Sequence, residues 1–412
     1  MDWRNLFGFS KPKTKPFSAW QIELTTRCPL KCKMCIREGI KDWHNGDMNI
    51  SDFKRLTPYL KDVETVVLEG WGESLLHKNL IEIIRVAKAA GPQVGFVTSG
   101  KALNREYISE LINAGVDFIG FSLSGATLKT HNAIRVNSDL QSLIEHIQTF
   151  NEIKRNKKIK NPKLHIVYLM LKDNISEVPA LLKLVKEIGI EEVVLTNLIH
   201  VANEWQEGQR VFRCNQLENK IIMSQENTMA KNVIARSEAT KQSQKTRLLR
   251  YARNDKSEEF SNEKNHYEEI LNEAEIKAKE LNIKLRRPSL SPIEVTVCEE
   301  NPLRNLYISV DGEVSPCVYL YPPVPSPFKR IFCSKEYQLE KVSFGNIFKE
   351  PFHTIWNSRG YVEFRNYFIK RKGKVEEMYS YPWDMERLKR FEMEPLPDPP
   401  EQCRICHKIL GV

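Results

Sequence analysis

The sequence lacks any long apolar run, and none of its stretches approaches the roughly 18 uninterrupted apolar residues that a membrane-spanning helix needs. Its first residues, MDWRNLFGFSKPKTKPF, have no apolar core ahead of the lysines, so we expect no secretory signal. With only 18 glycines and 21 prolines in 412 residues, it also lacks the composition of collagen-like or wholly disordered chains. The 41% hydrophobic and 28% charged content is typical of a globular protein, which we expect in the cytoplasm and without a membrane partner.

The excess of positive charge is confined to one tract. Residues 231–256 hold eight Lys or Arg and two acidic residues, and so contribute +6 of the net charge of +9. A nucleic-acid-binding face would spread its charge over a structured surface with aromatic side chains for stacking, whereas Tyr251 is the one aromatic residue here. We therefore interpret residues 213–265 as a polar, basic, disordered insertion, and the sequence disfavours a nucleic-acid partner.

Short apolar runs alternate with amphipathic stretches between residues 20 and 200. Six runs predict strands, namely Gln21–Thr25, Thr65–Glu69, Val94–Thr98, Asp117–Leu123, Leu164–Met170 and Glu192–Thr196. The repeating unit of about 25–45 residues is the spacing at which helices connect parallel strands. Ser51 is predicted as a helix N-cap and Gly115 as a helix end. Because six strands are too few for a closed eight-stranded barrel, the pattern predicts an α/β fold with a doubly wound sheet or a partial barrel.

The pattern changes beyond residue 290. Asn305–Val310 and Glu313–Val318 flank Asp311-Gly312, a dipeptide typical of tight β-hairpin turns. We predict five segments: an N-terminal extension (1–17), a barrel (18–212), the polar insertion (213–265), a helix and strand that complete the barrel (266–290) and an auxiliary domain (291–412).

Three cysteines, Cys28, Cys32 and Cys35, lie directly after the first predicted strand. Without a secretory signal, clustered thiols indicate metal or redox chemistry rather than disulfide bonds. Structural zinc sites and electron-transfer clusters normally take four protein ligands, so a set of three leaves one coordination position for another ligand. The alternative is a zinc site completed by a distant residue such as His44.

A second group of cysteines lies near the end of the chain and consists of Cys298, Cys317, Cys403 and Cys406. Four thiols suit either a closed iron–sulfur cluster or a structural zinc site. The adjacent His407 is expected to be exposed, and the remaining Cys214 and Cys333 are expected to be isolated packed or incidental thiols.

The CxxxCxxC spacing in the loop after the first strand resembles the radical S-adenosylmethionine (SAM) superfamily, and IELTTRCPLKCKMC is similar to its SPASM/twitch branch. The resemblance covers about residues 18–200 and 298–412. It implies a partial (β/α)6 TIM-like barrel with a small C-terminal SPASM/twitch-like iron–sulfur domain. It further implies that Cys28, Cys32 and Cys35 hold a 4Fe–4S cluster whose open iron binds SAM. Reductive cleavage of SAM would then yield a 5′-deoxyadenosyl radical that abstracts a substrate hydrogen.

The resemblance extends to residues that contact SAM in the family. Gly70-Trp-Gly72-Glu73 looks like the glycine-rich GGE segment at the methionine end of SAM, where glycine lets the backbone approach the ligand and Glu73 supplies charge or fixes the loop. Thr98 lies where the family places a turn on the cofactor side. Ser122 and Arg135 are similar to a serine and an arginine that contact the SAM carboxylate.

Two positions depart from the pattern. Met34 stands where the family usually has an aromatic residue before the third cysteine, and Ser124 stands where many peptide-modifying relatives have aspartate. Methionine can pack against the same ligand face, although less specifically.

The C-terminal cysteines resemble those of the SPASM/twitch domain. Cys298, Cys317, Cys403 and Cys406 would hold one auxiliary 4Fe–4S cluster, because the further cysteines that a second auxiliary cluster needs are absent from the sequence.

The function implied is that of an oxygen-sensitive radical SAM enzyme that modifies a peptide or protein and takes electrons from a reductant such as flavodoxin or ferredoxin. One alternative is a small-molecule enzyme of cofactor or secondary-metabolite biosynthesis. A different class altogether is a non-catalytic zinc or electron-transfer scaffold.

Overall fold

Strands and helices alternate along most of the described chain. The computed structural model describes residues 15–212, 265–379 and 395–412. Its strands are β1 (Phe17–Ile22), β2 (Lys31–Cys32), β3 (Val63–Val67), β4 (Gln93–Thr98), β5 (Phe118–Leu123), β6 (Arg135–Val136), β7 (Lys163–Leu169), β8 (Glu192–Thr196), β9 (Lys284–Arg286), β10 (Asn305–Ile308), β11 (Val314–Ser315), β12 (Phe328–Phe332) and β13 (Lys335–Leu339). Its helices are α1 (Ile50–Lys54), α2 (Thr57–Leu60), α3 (Leu80–Ala89), α4 (Arg105–Ala114), α5 (Leu128–Ile134), α6 (Leu140–Lys157), α7 (Val178–Glu187), α8 (Glu204–Gly208), α9 (265–280), α10 (Phe352–Trp356), α11 (Arg359–Tyr379) and α12 (Glu401–Arg404). Short 3₁₀ turns cover Ser74–Leu76, Ile175–Glu177, Val318–Leu320 and His407–Leu410.

Seven strands form a parallel sheet in the order β1-β3-β4-β5-β7-β8-β9. All six predicted strands overlap a strand of this sheet. Helices connect most neighbouring strands, as parallel pairing requires. The fold is therefore the partial α/β barrel that the sequence predicted, open rather than closed.

Side chains along each strand alternate between the helix layer and the barrel lumen. In β1, Trp20 and Ile22 are fully buried in the main apolar core, whereas Ala19 and Gln21 line a cavity in the lumen. Because neighbouring strands are paired in register, side chains at paired positions face the same side of the sheet. Those on the lumen side lie below the space at the carboxyl ends of the strands.

The helices follow from equally local signals. Helix α3 buries residues spaced three and four apart, namely Leu80, Ile83, Ile84 and Ala87. Helix α4 ends at Gly115, which adopts a left-handed conformation (φ +85°), as predicted. The predicted N-cap at Ser51 is wrong, because α1 begins at Ile50 and Asn49 occupies the cap position without a side-chain hydrogen bond.

The hairpin β10–β11 continues the barrel sheet. Strand β10 pairs in parallel with β1, with Trp20 opposite Leu306 and Ile22 opposite Ile308, and β11 is antiparallel to β10. The predicted tight turn lies between them, with Gly312 at φ +84°. The hairpin was predicted from its turn, but its pairing with the first strand of the chain has no local sequence signal.

The C-terminal segments pack around a second apolar core beneath β12, β13 and α11. Arg371 of α11 is fully buried and donates to the carbonyl oxygens of Thr296 (3.0 Å) and Pro397, and its guanidinium pairs with Glu294 at 2.8 Å. Because these partners belong to the two segments that lead to the auxiliary cysteines, Arg371 fixes both segments against one helix.

Some expectations fall on residues outside the described ranges. These are Cys214, residues 1–14 of the expected N-terminal extension, and all of the expected insertion except residue 265. The division of the chain into five segments accordingly stays a prediction. Among the described helices, none is long and apolar enough to cross a membrane.

Cys333 differs from its expected state. It is buried and disulfide-bonded, so the expectation of an isolated thiol is wrong for this residue.

Candidate functional site

Cys28, Cys32 and Cys35 lie in one loop at the carboxyl end of the barrel sheet. Within the loop, β2 pairs with β6, so that Cys32 lies opposite Arg135. Arg37 donates from Nη1 to the carbonyl oxygen of Cys28 at 2.8 Å. The amide of Cys35 donates to the carbonyl oxygen of Cys32 at 3.0 Å. Backbone pairing and an arginine clamp therefore hold the three thiols in one turn.

The three thiols share an apolar environment. They belong to or pack against one cluster, formed by Leu30, Met34, Ile134, Leu171, Leu198, Val201 and Ile331. Burial raises the pKa values of all three thiols, that of Cys28 to about 11, and the neighbouring thiol Cys32 contributes to the shifts of Cys28 and Cys35. Such thiols ionise when a metal centre replaces their protons, so folding and metal binding are coupled here.

The donor set fits an iron–sulfur cluster with three protein ligands. All three cysteines are free, Cys32 is buried and the other two are partly buried, and Cys32 lies close enough to Cys28 and Cys35 to affect their ionisation. Within the described residues, no group of three or more His, Cys, Asp or Glu side chains is arranged around a single metal ion. His44, the expected fourth ligand of a zinc alternative, instead has its Nε2 3.2 Å from Asp311 Oδ2. The structure gives that zinc site no support.

The loop after β3 packs tightly on the end of β1. The amide of Trp71 donates to Oε1 of Glu23 at 2.7 Å. A Cβ atom at Gly70 would lie 2.4 Å from the side chain of Glu23, and one at Gly72 would lie 2.1 Å from the carbonyl oxygen of Thr25. Both glycines are thus required by packing against the strand that leads to the cysteine loop, whatever ligand the loop contacts.

The side chain of Glu73 holds this loop in place through hydrogen bonds. It is 4% exposed, and its Oε1 accepts hydrogen bonds from Thr98 Oγ1 (2.7 Å) and the amide of Leu75 (3.3 Å). Its Oε2 accepts from the amide (2.8 Å) and the hydroxyl (2.7 Å) of Ser99. Of the two roles expected for Glu73, charge toward a ligand or fixing of the loop, the contacts match the second.

Replacing Glu73 with glutamine is expected to lower the free energy of unfolding by about 1–3 kcal/mol, because an amide group replaces one buried acceptor oxygen and faces donors. Urea denaturation followed by circular dichroism measures the loss. The matched control is Glu82→Gln, which removes an exposed pair with Lys54 and should change stability by less than about 1 kcal/mol. Equal losses in the two variants would show that the Glu73 network does not support the loop.

Thr98 belongs to the same network. Its side chain is 2% exposed, donates to Glu73 and accepts from the amide of Gly100 at 2.9 Å. It faces the helix layer, on the side of β4 opposite the lumen-facing Val97. Its hydroxyl is therefore occupied, and we do not propose the expected contact of this side chain with the cofactor.

Ser122 and Arg135 lie on the cysteine side of the lumen. Ser122 is half-buried at a lumen-facing position of β5. Arg135 donates from Nε to the hydroxyl of the fully buried Ser124 at 2.9 Å, and its guanidinium also hydrogen-bonds the thiol of Cys32. Ser124, which replaces the aspartate of many relatives, thus orients the arginine beside the cysteine loop.

The four C-terminal cysteines converge although they are far apart in sequence. Cys298 precedes β10, Cys317 follows β11, and Cys403 and Cys406 lie in and just after α12. Burial raises the pKa of Cys298 to about 12 and holds those of Cys317 and Cys403 well above the ordinary value, with the neighbouring thiols adding to each shift. All four are free, so this donor set fits a cluster closed by four protein ligands.

His407 is fully buried, which contradicts the expected exposure. Its Nδ1 lies 3.0 Å from the carbonyl oxygen of Ile199, and its ring packs against Phe332 and Phe212. The imidazole is buried in an apolar pocket because the segment after Cys406 folds back onto the barrel.

A cavity of about 430 Å³ connects the barrel lumen with the auxiliary cysteines. Lumen-facing residues of β1 and β8 and of the segment following β3 form one wall, and Cys317 lies in the other. Its full lining is Ala19, Gln21, Val67, Glu69, Gly70, Trp71, Thr196, Glu300, Asn305, Leu306, Pro316, Cys317, Val318, Tyr319 and Lys408. A ligand held here would lie between the Gly70 loop and the second group of cysteines.

The sequence did not single out three polar residues of this cavity, Glu69, Glu300 and Lys408. Glu69 continues the lumen-facing alternation of Val67, so this signal was present in the strand pattern. The other two reach the cavity only through the non-local pairing of β10 with β1 and the packing of the C-terminal turn, which no short-range pattern predicts.

Two sequence families match the chain. The model of the radical SAM superfamily matches residues 22–185, and that of the SPASM iron–sulfur cluster-binding domain matches residues 298–407. These ranges contain the first and second groups of cysteines, respectively. The first family binds a 4Fe–4S cluster and SAM, and the second binds auxiliary iron–sulfur clusters, in agreement with the donor sets described above.

Several curated proteins are similar to the chain. The tungsten-containing aldehyde ferredoxin oxidoreductase cofactor-modifying protein of Pyrococcus furiosus is 23% identical over 88% of this chain and 84% of its own length. Fe-coproporphyrin III synthase of Methanosarcina barkeri is 25% identical over 48% of this chain and 47% of its own. PqqA peptide cyclase of Bradyrhizobium diazoefficiens is 29% identical over 25% of this chain and 28% of its own. The chain thus spans most of the first relative and less than half of the other two.

Solved structures with the same fold include Streptococcus suis SuiB. SuiB alone has a TM-score of 0.52 over 84% of this chain and 67% of its own, and SuiB bound to S-adenosylmethionine has a TM-score of 0.51 over 85% and 68%. At 13% identity these likenesses show the fold alone. With both family domains in place and each containing its own convergent group of cysteines, the chain belongs to the SPASM branch of the radical SAM superfamily and is an enzyme.

Proposed function

We propose that the protein reductively cleaves SAM and abstracts a hydrogen atom from a peptide or protein side chain in the cavity between its two groups of cysteines. The observation that carries the proposal is the cavity itself, which reaches from Gly70 beside the cysteine loop to Cys317 of the second group. A substrate in this cavity would contact Cys317 of the second group and Gly70, which belongs to the loop packed against the segment that leads to the first group.

Cys28, Cys32 and Cys35 would hold the SAM-binding 4Fe–4S cluster. When bound, the cluster and SAM supply the electron that breaks a C–S bond of the sulfonium and the nucleoside fragment that takes a hydrogen atom. Arg135, oriented by Ser124, presents a planar guanidinium that suits the SAM carboxylate.

Ser122, Gly70 and Gly72 would complete the SAM site, with Glu73 as its positioning residue. Ser122 faces the same lumen as the cavity, and the close-packed glycine loop presents backbone groups rather than side chains. Cys298, Cys317, Cys403 and Cys406 would hold one auxiliary 4Fe–4S cluster with no open iron.

Anaerobic reconstitution tests the proposed chemistry. The full chain should bind about eight irons, the number in two 4Fe–4S clusters, and should release 5′-deoxyadenosine when dithionite and SAM are added. Flavodoxin or ferredoxin with its reductase should replace dithionite. A protein that holds stoichiometric zinc and never cleaves SAM would instead be the non-catalytic scaffold.

A peptide or protein side chain suits the size of the cavity. About 430 Å³ is near the lower end of the roughly 300–1,000 Å³ that ligand pockets span, so it has room for one side chain but little for a macrocycle. Similarity to PqqA peptide cyclase over 25% of this chain supports the same substrate class. Here the substrate backbone would lie outside the cavity while one side chain enters it.

A small-molecule substrate is the second candidate. It is favoured by the relative from Pyrococcus furiosus, which is named for modification of a cofactor and is similar over nearly the whole of both chains. This enzyme would act in cofactor biosynthesis, with the complete substrate inside the cavity.

Deuterium transfer distinguishes the two substrate classes. The native host is grown in deuterated medium, its extract is separated by ultrafiltration, and each fraction is incubated with the reconstituted enzyme, SAM and reductant. Mass spectrometry of 5′-deoxyadenosine then identifies the fraction that donates deuterium. Transfer from the retained macromolecules that is abolished by prior protease treatment supports a peptide or protein. Transfer confined to the filtrate and resistant to protease supports the small molecule.

A further inference from the structure

The carboxylate of Glu69 lies in the cavity without a partner. It is half-buried, the accessible part of it lines the cavity, and no hydrogen bond or ion pair reaches it from the described residues. Burial, together with the neighbouring acidic residues Glu300 and Glu73, raises the pKa of Glu69 to about 7. A carboxylate placed out of bulk water without a donor or a cation is costly to the fold, which marks it as a candidate for ligand contact.

The cation already present in the cavity does not neutralise Glu69. Lys408 is the basic residue of the cavity lining, and its Nζ lies 2.7 Å from Glu299 Oε2 and 4.0 Å from Glu300 Oε1. Lys408 is therefore paired with these two carboxylates and not with Glu69. The lining thus contains two carboxyl groups, Glu69 on the barrel side and Glu300 on the auxiliary side, and one ammonium, so its net charge is −1 when both acids are ionised.

We propose that Glu69, with Glu300 across the cavity, binds a cationic group of the substrate, a primary ammonium or a guanidinium. The proposal rests on the proposed function, because it assigns a chemical class to the substrate of the same cavity. Such a group would donate charge-assisted hydrogen bonds to Glu69, which is partly shielded from bulk water. A neutral group would leave the carboxylate unpaired, and an anionic group would be repelled by both acids. Glu69 is in this sense a specificity-determining residue.

Through its position, Glu69 would orient the bound substrate as well as select it. It immediately precedes Gly70, the start of the loop that packs on Glu23 at the end of β1. A cation paired with Glu69 would hold neighbouring C–H bonds of the substrate between this loop and Cys317. The same carboxylate is also within the half of the cavity nearest the proposed SAM site, so SAM, itself a cation, is the competing occupant.

Matched probes test the charge preference directly. The reconstituted full chain with SAM is titrated anaerobically by calorimetry with N-acetyl-lysine methylamide and with N-acetyl-norleucine methylamide, its neutral counterpart. We expect the lysine probe to bind at least about tenfold more tightly, the ratio that one charge-assisted hydrogen bond provides. Glu69→Gln should reduce this ratio to near one. The control Glu64→Gln, at the opposite end of the same strand and paired with Arg304, should retain it.

Other outcomes overturn the proposal. These are equal or undetectable binding of both probes to the wild-type protein, or a lysine preference that persists in Glu69→Gln. A variant that keeps the preference but binds SAM more weakly would assign the carboxylate to SAM. A melting temperature of Glu69→Gln at or above that of wild type shows that the variant is folded.

The two proposals fail in distinguishable ways. If wild-type protein binds the lysine probe selectively but never releases 5′-deoxyadenosine, the proposed function fails and the cation site stands. If it cleaves SAM but shows no charge preference, the cation site fails alone.

Discussion

Replacing Cys28, Cys32 and Cys35 together with alanine is expected to lower the iron content from about eight to about four per chain. It should also reduce SAM cleavage to background. The three thiols are free, belong to or pack against one apolar cluster, and are close enough for Cys32 to raise the pKa values of the other two. The other free cysteines of the described chain are Cys298, Cys317, Cys403 and Cys406, which form the second group. Iron analysis and chromatography of 5′-deoxyadenosine measure both losses.

The second group of cysteines provides the matched control. Alanine at Cys317 and Cys403 removes two of four converging thiols and should also cost about four irons, but it should leave the reduced cluster whose electron paramagnetic resonance signal shifts on addition of SAM. Retention of SAM cleavage by the first triple variant, or a SAM-dependent signal only in that variant, would mean that the two sites are assigned in the wrong order.

Replacing Gly72 with alanine is expected to weaken iron binding by the loop of Cys28, Cys32 and Cys35, although Gly72 is not one of the proposed ligands. The added Cβ would lie 2.1 Å from the carbonyl oxygen of Thr25 and 2.8 Å from that of Arg27, both of them backbone atoms that cannot rotate away. Overpacking of this kind costs about 1–3 kcal/mol or more, because one of the two segments must move. Since Arg27 directly precedes Cys28, we expect lower iron content and weaker SAM cleavage as well as a lower urea midpoint.

Two other glycines serve as controls for Gly72. A Cβ at Gly208 or Gly373 would have no atom within 4 Å, and neither residue has a positive φ. Alanine at either helical position should leave iron content unchanged and raise stability by up to about 1 kcal/mol through helix propensity. If Gly72→Ala behaves like these two variants, the loop is far more adaptable than its contacts indicate.

Local patterns predicted the parts of the fold that depend on local physics. The barrel strands appeared as apolar runs because one side of each, as with Trp20 and Ile22, must be buried beneath helices. The turn at Gly312 was predictable because a tight hairpin requires a positive φ. The prediction of Ser51 as an N-cap was wrong. The actual cap position is Asn49, and it makes no side-chain hydrogen bond that would distinguish it from neighbouring residues.

The candidate site was predictable only where its residues are close in sequence. The spacing of Cys28, Cys32 and Cys35 identified one loop. The role of Glu73 was left open, because its four hydrogen bonds come from the end of another strand and from its own turn. Glu69 and Glu300 meet across a cavity that exists only after β10 has paired with β1.

The pairing of β10 with β1 also fixes the two groups of cysteines relative to one another. Strand β1 carries the cysteine loop at one end and is hydrogen-bonded along its length to β10, which is flanked in sequence by Cys298 and Cys317. The position of Cys298 and Cys317 relative to the cysteine loop is therefore fixed by a continuous ladder of backbone hydrogen bonds rather than by a hinge. In the proposed function, an electron passing between the two iron–sulfur sites would therefore travel a distance that this ladder holds constant.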